Sequence, residues 1–248
     1  MRKFYSVFFG CTLLVACGPK QLAEYTSSNY SLDSSYSNTK LDTMLIPYRV
    51  GMEEQMSIVI GVAEQDLKSF APESPLSNFV ADLVYAKGYE YAALNAIGAQ
   101  HHTIFSLLNF GGLRSTINKG EVTVRTIYEL MPFDNSIVIV KLTPQKIKDL
   151  LNYLMEVKGQ PIGNAIAYVT FDNLYLKVGS EKYNFDKDLY VVTSDYLANG
   201  GDKMNFFKEP IEKWETNILI RDAITEHIKR IKNITYTPDE GRMVIVKK

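Results

Sequence analysis

Apolar residues along this chain recur sometimes at helical and sometimes at strand spacing, and the switches between the two mark out its elements. Leu76, Phe79, Val80, Leu83, Val84 and Tyr91 fall at helical intervals and predict a long amphipathic helix over Leu76–Leu94. Thr143 and Pro144 open a second helix, whose buried face is Ile147, Leu150, Leu151 and Leu154. Thr143 suits the cap and Pro144 the first turn. A third helix is predicted over Asn217–Ile231. Strands are predicted at Met56–Val62, Thr103–Leu108, Ser136–Leu142, Ala165–Val178, Leu189–Thr193 and Arg242–Val246. Strands and helices alternate without a regular βαβ rhythm. This predicts an α+β fold, a single mixed-sheet domain with flanking helices. No internal repeat of fixed period is present.

The pattern breaks at the N-terminus. Arg2 and Lys3 precede an apolar run, Phe4–Ala16, that ends in Leu14-Val15-Ala16-Cys17. A basic start, a short apolar stretch and small residues before a cut describe a secretory signal. The run is shorter than the roughly 20 apolar residues of a membrane span. Cysteine directly after Leu-Val-Ala resembles the lipobox of bacterial lipoproteins, which implies lipidation at Cys17. An ordinary signal peptide is the alternative. Residues 18–42 are rich in serine (Ser27, Ser28, Ser31, Ser34, Ser35, Ser37) and read as a flexible tether. The expected organisation is a signal peptide over 1–16, lipidated Cys17 and tether over 17–42, and one folded domain over 43–248. The expected location is the cell envelope, lipid-anchored in the outer membrane of a Gram-negative bacterium.

Composition then limits the chemistry. The 248 residues carry 27 basic and 28 acidic side chains; loss of Arg2 and Lys3 leaves 25 basic, a charge of −3. That balance lacks the basic footprint of a duplex nucleic-acid binder. Of the two cysteines, Cys11 leaves with the signal and Cys17 carries the lipid, so no disulfide, cysteine zinc site or thiol nucleophile is expected. The histidines are His101, His102 and His227. The adjacent pair opens a predicted strand, where the two rings point to opposite faces. His227, beside Glu226 and Lys229, is expected at a solvated position. No HExxH or GxSxG pattern occurs. No catalytic residue and no metal ligand is assigned.

Three loops carry the candidate chemistry. Asn109-Phe110-Gly111-Gly112-Leu113-Arg114 follows a strand, its glycines letting backbone amides approach a ligand and its arginine fit to fork onto oxyanions. Met131-Pro132-Phe133-Asp134-Asn135 sets an aromatic and an amide before a strand. Ser194-Asp195-Tyr196-Leu197-Ala198-Asn199-Gly200-Gly201-Asp202 joins an aromatic to a glycine pair and a carboxylate. Phe133 and Tyr196 can sandwich a flat base, at about 1–3 kcal/mol per stacked face. Asn135 can read a base edge, Asp202 can accept from ribose hydroxyls and Arg114 can hold a phosphate. Each loop alone also suits a plain turn or a packed aromatic.

In this order the three loops resemble the C-terminal, substrate-binding domain of the 5′-nucleotidase/UDP-sugar hydrolase family, over roughly residues 45–247. The resemblance implies substrate contacts from Asn109, Arg114, Phe133, Asn135 and Asp202, with Tyr196 where the family usually has Phe, and Gly111, Gly112, Gly200 and Gly201 shaping the loops. Two positions depart: Ser69–Glu73 lacks an arginine common in the family, and Ala165-Ile166 replaces a Ser-Gly pair. Family members carry two divalent metals on a separate N-terminal metallophosphoesterase domain. The resemblance therefore implies a nucleotide- or nucleoside-recognition domain without its own cofactor, acting with a separate metallophosphoesterase chain. A non-catalytic surface lipoprotein that binds nucleosides or another small ligand is the alternative.

Overall fold

The computed structural model describes residues 27–29, 38–236 and 241–246. Cys17, the signal sequence and most of the predicted tether lie outside the described residues. The chain divides into two units, residues 1–46 and 47–248. In the first, the described residues include the start of helix α1 (Thr39–Met56), where Asn38 Oδ1 accepts from the Leu41 amide at 3.3 Å and Thr43 Oγ1 donates to the Thr39 carbonyl at 2.8 Å.

The second unit follows in the order β1 (Val59–Ala63), α2 (Pro75–Leu94), β2 (Ile104–Leu107), β3 (Gly120–Thr123), α3 (Val124–Leu130), β4 (Ser136–Leu142), α4 (Pro144–Val157), β5 (Ile162–Gly163), β6 (Ala165–Thr170), β7 (Leu174–Val178), β8 (Glu181–Lys182), β9 (Leu189–Ser194), α5 (Asp195–Ala198), β10 (Glu212–Leu219), α6 (Ile220–Ile231), β11 (Asn233–Ile234) and β12 (Met243–Val246). The architecture is α+β with mixed sheets and flanking helices. The strands form three sheets, ordered β11-β1-β3, β10-β4-β9-β2-β5 and β12-β6-β7-β8, each mixing parallel and antiparallel pairs.

The central strands of the five-stranded sheet, β4, β9 and β2, are buried on both faces, as their near-continuous apolar sequences require. Ile137 and Ile139 of β4, Ile104 of β2 and Val192 of β9 face a core shared with α2, α3 and α6. Val138 and Val140 of β4, Phe105 of β2 and Val191 of β9 face a second core shared with α4 and β6. A Cβ on Gly88 would lie 2.4 Å from a Val192 methyl, so the missing side chain lets α2 sit close on the sheet. Ser74 caps α2 through a reciprocal bond with Ser77, and Thr143 caps α4 as its sequence suggests.

Four predicted elements differ in extent. The helix through Met56 delays the first strand to Val59, because Ser57 still donates its amide and hydroxyl to the Glu53 carbonyl. Ala165–Val178 is a hairpin of two strands, β6 and β7, folded at Phe171-Asp172. Asn217–Leu219 belongs to β10, so the last long helix begins at Ile220. Asn217 takes a positive φ of 58°, and the β10–β4 register shifts between Glu215 and Leu219. His101 and His102 stand in a 3₁₀ turn rather than a strand.

Candidate functional site

The central strands bring the three loops to one end of the molecule. Parallel β2 and β9 both finish there, leading into Asn109–Arg114 and Tyr196–Asp202. Antiparallel β4 starts there, directly after Phe133–Asn135, with Ile137 opposite Ser194. Residues far apart in sequence therefore become neighbours through strand direction alone.

Asn109, Gly111, Gly112, Arg114, Phe133, Asn135, Tyr196 and Asp202 line a single cavity of about 320 Å³. All six side chains singled out in the sequence are among them. Gly200 and Gly201 stand behind it: Gly200 takes a φ of 89°, and a Cβ on Gly201 would sit 2.5 Å from the Tyr196 ring. Phe133 and Tyr196 are 41% and 47% exposed, so both rings keep open surface despite sitting in an ordered loop cluster. The Arg114 amide donates to the Leu130 carbonyl at 2.8 Å, whereas its guanidinium makes no hydrogen bond or ion pair among the described residues. It is the cation among the cavity-lining residues, available to an anion.

Asp202 is held from several sides. Asn109 Nδ2 donates to Asp202 Oδ2 at 2.6 Å, and the Tyr196 hydroxyl donates to Oδ1 at 2.8 Å. The Asp202 amide donates back to the Tyr196 hydroxyl at 3.2 Å, and the Tyr153 hydroxyl donates to the Asp202 carbonyl at 3.0 Å. Burial raises the Tyr153 phenol above its ordinary pKa, which keeps this donor protonated.

Three positioning residues escaped the sequence reading. Asp195 Oδ1 accepts from the Tyr196 amide at 2.8 Å and from the Ser136 amide at 3.2 Å, tying the Tyr196 loop to the start of β4. Arg221, on the first turn of α6, donates to Asp134 Oδ1 at 2.5 Å and to the Phe133 carbonyl at 3.4 Å, while its guanidinium lies 4.2 Å from the centre of the Tyr128 ring. Its side chain is only 9% exposed. Tyr153 lies on α4. Asp195 sits inside the third loop, but nothing local in the sequence marks Arg221 or Tyr153.

The histidines sit elsewhere. His101 Nδ1 meets the Tyr85 hydroxyl at 2.6 Å, and His102 Nδ1 lies 3.8 Å from Glu181. His227 is half-buried rather than solvated: its ring packs edge-on to Phe79 at 5.8 Å, and burial, with Arg230 and Lys87 nearby, lowers its pKa. Among the described residues no group of three His, Cys, Asp or Glu side chains could hold a metal ion. No helix there is long and apolar enough to cross a membrane.

The family model for the 5′-nucleotidase C-terminal domain matches residues 59–209. An alignment of 188 positions is 31% identical to the trifunctional nucleotide phosphoesterase protein YfkN of Bacillus subtilis; it covers 69% of this chain and 12% of that protein. Rat 5′-nucleotidase is 26% identical over an alignment of 166 positions that covers 58% of this chain and 29% of the rat protein. Among solved structures, the 5′-nucleotidase precursor of Thermus thermophilus superposes with a TM-score of 0.68 at 23% identity, covering 83% of this chain and 43% of that one. Haemophilus influenzae NAD nucleotidase gives 0.60 at 17% identity, over 79% and 40%. The chain thus spans less than half of each of these proteins, and the structural likenesses concern the fold.

Proposed function

The chain belongs to the 5′-nucleotidase C-terminal domain family, and from that premise we propose that its cavity recognises a nucleoside or nucleotide. One observation carries the reading: two half-open aromatic rings, an amide, a carboxylate and a guanidinium unpartnered among the described residues, drawn from three separate loops, line one cavity. Phe133 and Tyr196 take the faces of the base and Asn135 its edge. Asp202 accepts from the sugar and Arg114 holds a phosphate. Asn109 fixes Asp202, while the glycine pairs keep the loops thin enough for the ligand to approach.

In this proposal the domain works in nucleotide catabolism together with a separate metallophosphoesterase chain, which supplies two divalent metals and the hydrolytic step. Support comes from the family match, which falls on the C-terminal domain of the 5′-nucleotidases. Cys17 anchors the protein by its lipid, in the envelope of a Gram-negative bacterium and at its outer membrane. Adding a metallophosphoesterase encoded beside this gene is expected to produce 5′-nucleotidase activity that falls when Arg114 or Phe133 is replaced by Ala. Absence of both complex and activity would overturn the split-enzyme reading. The single cation among the described cavity-lining residues favours a second reading, a surface lipoprotein that captures nucleosides without hydrolysing them; binding by calorimetry without any complex would select it.

A further inference from the structure

The Tyr196 hydroxyl does something that stacking does not require. A phenyl ring would cover a base equally well, yet here the phenol is bonded at both its proton and its lone pair, and both bonds go to Asp202. The Asp202 backbone takes a φ of 49°, in the left-handed region, directly after Gly200 and Gly201. Its amide, its carbonyl and both carboxylate oxygens are all fixed by hydrogen bonds: to Tyr196, from Tyr153, from Tyr196 and from Asn109. Each carboxylate oxygen can accept a second bond. The two remaining acceptor directions are thus held at a set separation before any ligand arrives.

We propose that the Tyr196 hydroxyl is a specificity-determining group for the sugar: by clamping Asp202 against the Asn109 amide it makes the cavity select a vicinal cis-diol, and so ribonucleosides over 2′-deoxyribonucleosides. The inference deepens the nucleoside reading and rests on it. A cis-diol presents two hydroxyl donors on adjacent carbons and can use both preset acceptors. A 2′-deoxy sugar presents one. With Phe at position 196 the ring remains, but Asp202 Oδ1 loses its donor and the carboxylate is free to turn. The second diol bond must then bear the entropy of ordering the carboxylate. Because the phenol proton is committed to Asp202, the hydroxyl acts through the carboxylate and not by touching the ligand.

The test is calorimetric titration of adenosine and 2′-deoxyadenosine into the wild-type protein, Tyr196→Phe, Asp202→Asn and the double variant, with thermal melts to establish that each is folded. The wild type is expected to prefer adenosine. In Tyr196→Phe the preference for adenosine over 2′-deoxyadenosine should fall about three- to tenfold, the scale of one hydrogen bond, with the larger loss on the adenosine side. In the Asp202→Asn background the same change should leave the preference unmoved. An unchanged or greater preference in Tyr196→Phe overturns the inference, as does an equal loss for both ligands, which is what a merely structural role produces. A wild type that binds neither nucleoside overturns the nucleoside reading itself, a result distinct from the others.

Discussion

Two clefts show how differently the same residue types can be used. The first is the cavity of about 320 Å³ between the three loops. The second, about 440 Å³, is lined by Asp82, Tyr85, Asn164, Ala165, Ile166, Gly179 and Arg242. It too offers an arginine, an aspartate, a tyrosine and an asparagine, but it turns them inward. Arg242 grips Asp82 with both terminal nitrogens, at 2.7 and 2.9 Å, and also donates to the Tyr236 hydroxyl at 3.0 Å. The Tyr85 hydroxyl pairs with His101, and burial pushes its pKa up to about 12. Asn164 Nδ2 spans the His101 and Ile104 carbonyls, at 2.8 Å each. The first cleft leaves two aromatic faces and one guanidinium uncommitted among the described residues. Their residue types do not distinguish the two; unspent bonding capacity does. The second cleft is a fastening between α2, the turn before β2 and the chain end at β12.

The contrast can be broken by exchanging what each cleft is sensitive to. Asp82→Ala removes both carboxylate bonds of an arginine whose side chain is 11% exposed, and should cost about 2–3 kcal/mol of stability, short of the ~3–5 for a fully buried pair because Arg242 keeps its bond to the Tyr236 hydroxyl and Asp82 has solvent contact. Denaturant titration measures this, and ligand affinity of the folded fraction should be unchanged. Phe133→Ala should do the reverse. It removes one stacked face, weakening adenosine binding by about 1–3 kcal/mol with little change in unfolding midpoint. Arg114→Ala sharpens the division within the first cleft. AMP should lose about 1.5 kcal/mol or more of affinity, the worth of a charged hydrogen bond, while adenosine is scarcely affected.

The smallest effect belongs to neither cleft and serves as a control on the core beside them. The half-buried His227 has a lowered pKa in the folded chain, so below its ordinary value near 6.5 the unfolded chain binds the extra proton first. Stability contributed by neutral His227 is present above that pH and is lost as pH falls through it. His227→Gln should flatten the fall in melting temperature between pH 7 and 5, without altering nucleoside affinity.

The first cleft was legible in the sequence because its signals are local. Gly111-Gly112 and Gly200-Gly201 mark thin turns, and Phe133 and Tyr196 stand beside polar residues just outside apolar strands. The order of the three loops did the rest. Arg221 and Tyr153 were not legible, since their roles arise from contacts across 87 and 49 residues that only the sheet order creates. β10 was missed for a related reason. As an edge strand it alternates poorly, with Glu212, Lys213 and Glu215 exposed, so its end merged with the strong helical pattern of Ile220, Ala223, Ile224 and Ile228. His227 looked solvated from Glu226 and Lys229, but helical rotation turns it toward Phe79.

In the proposed reading the loop cavity holds a base between Phe133 and Tyr196. Calorimetric titration of adenosine and AMP into the intact protein, beside a Phe133→Ala/Tyr196→Ala variant that remains folded, addresses it most directly. Saturable binding at one site per chain is expected in the wild type, and loss of that binding in the double variant. Binding that survives removal of both rings, or a wild type that takes up neither ligand, would contradict it.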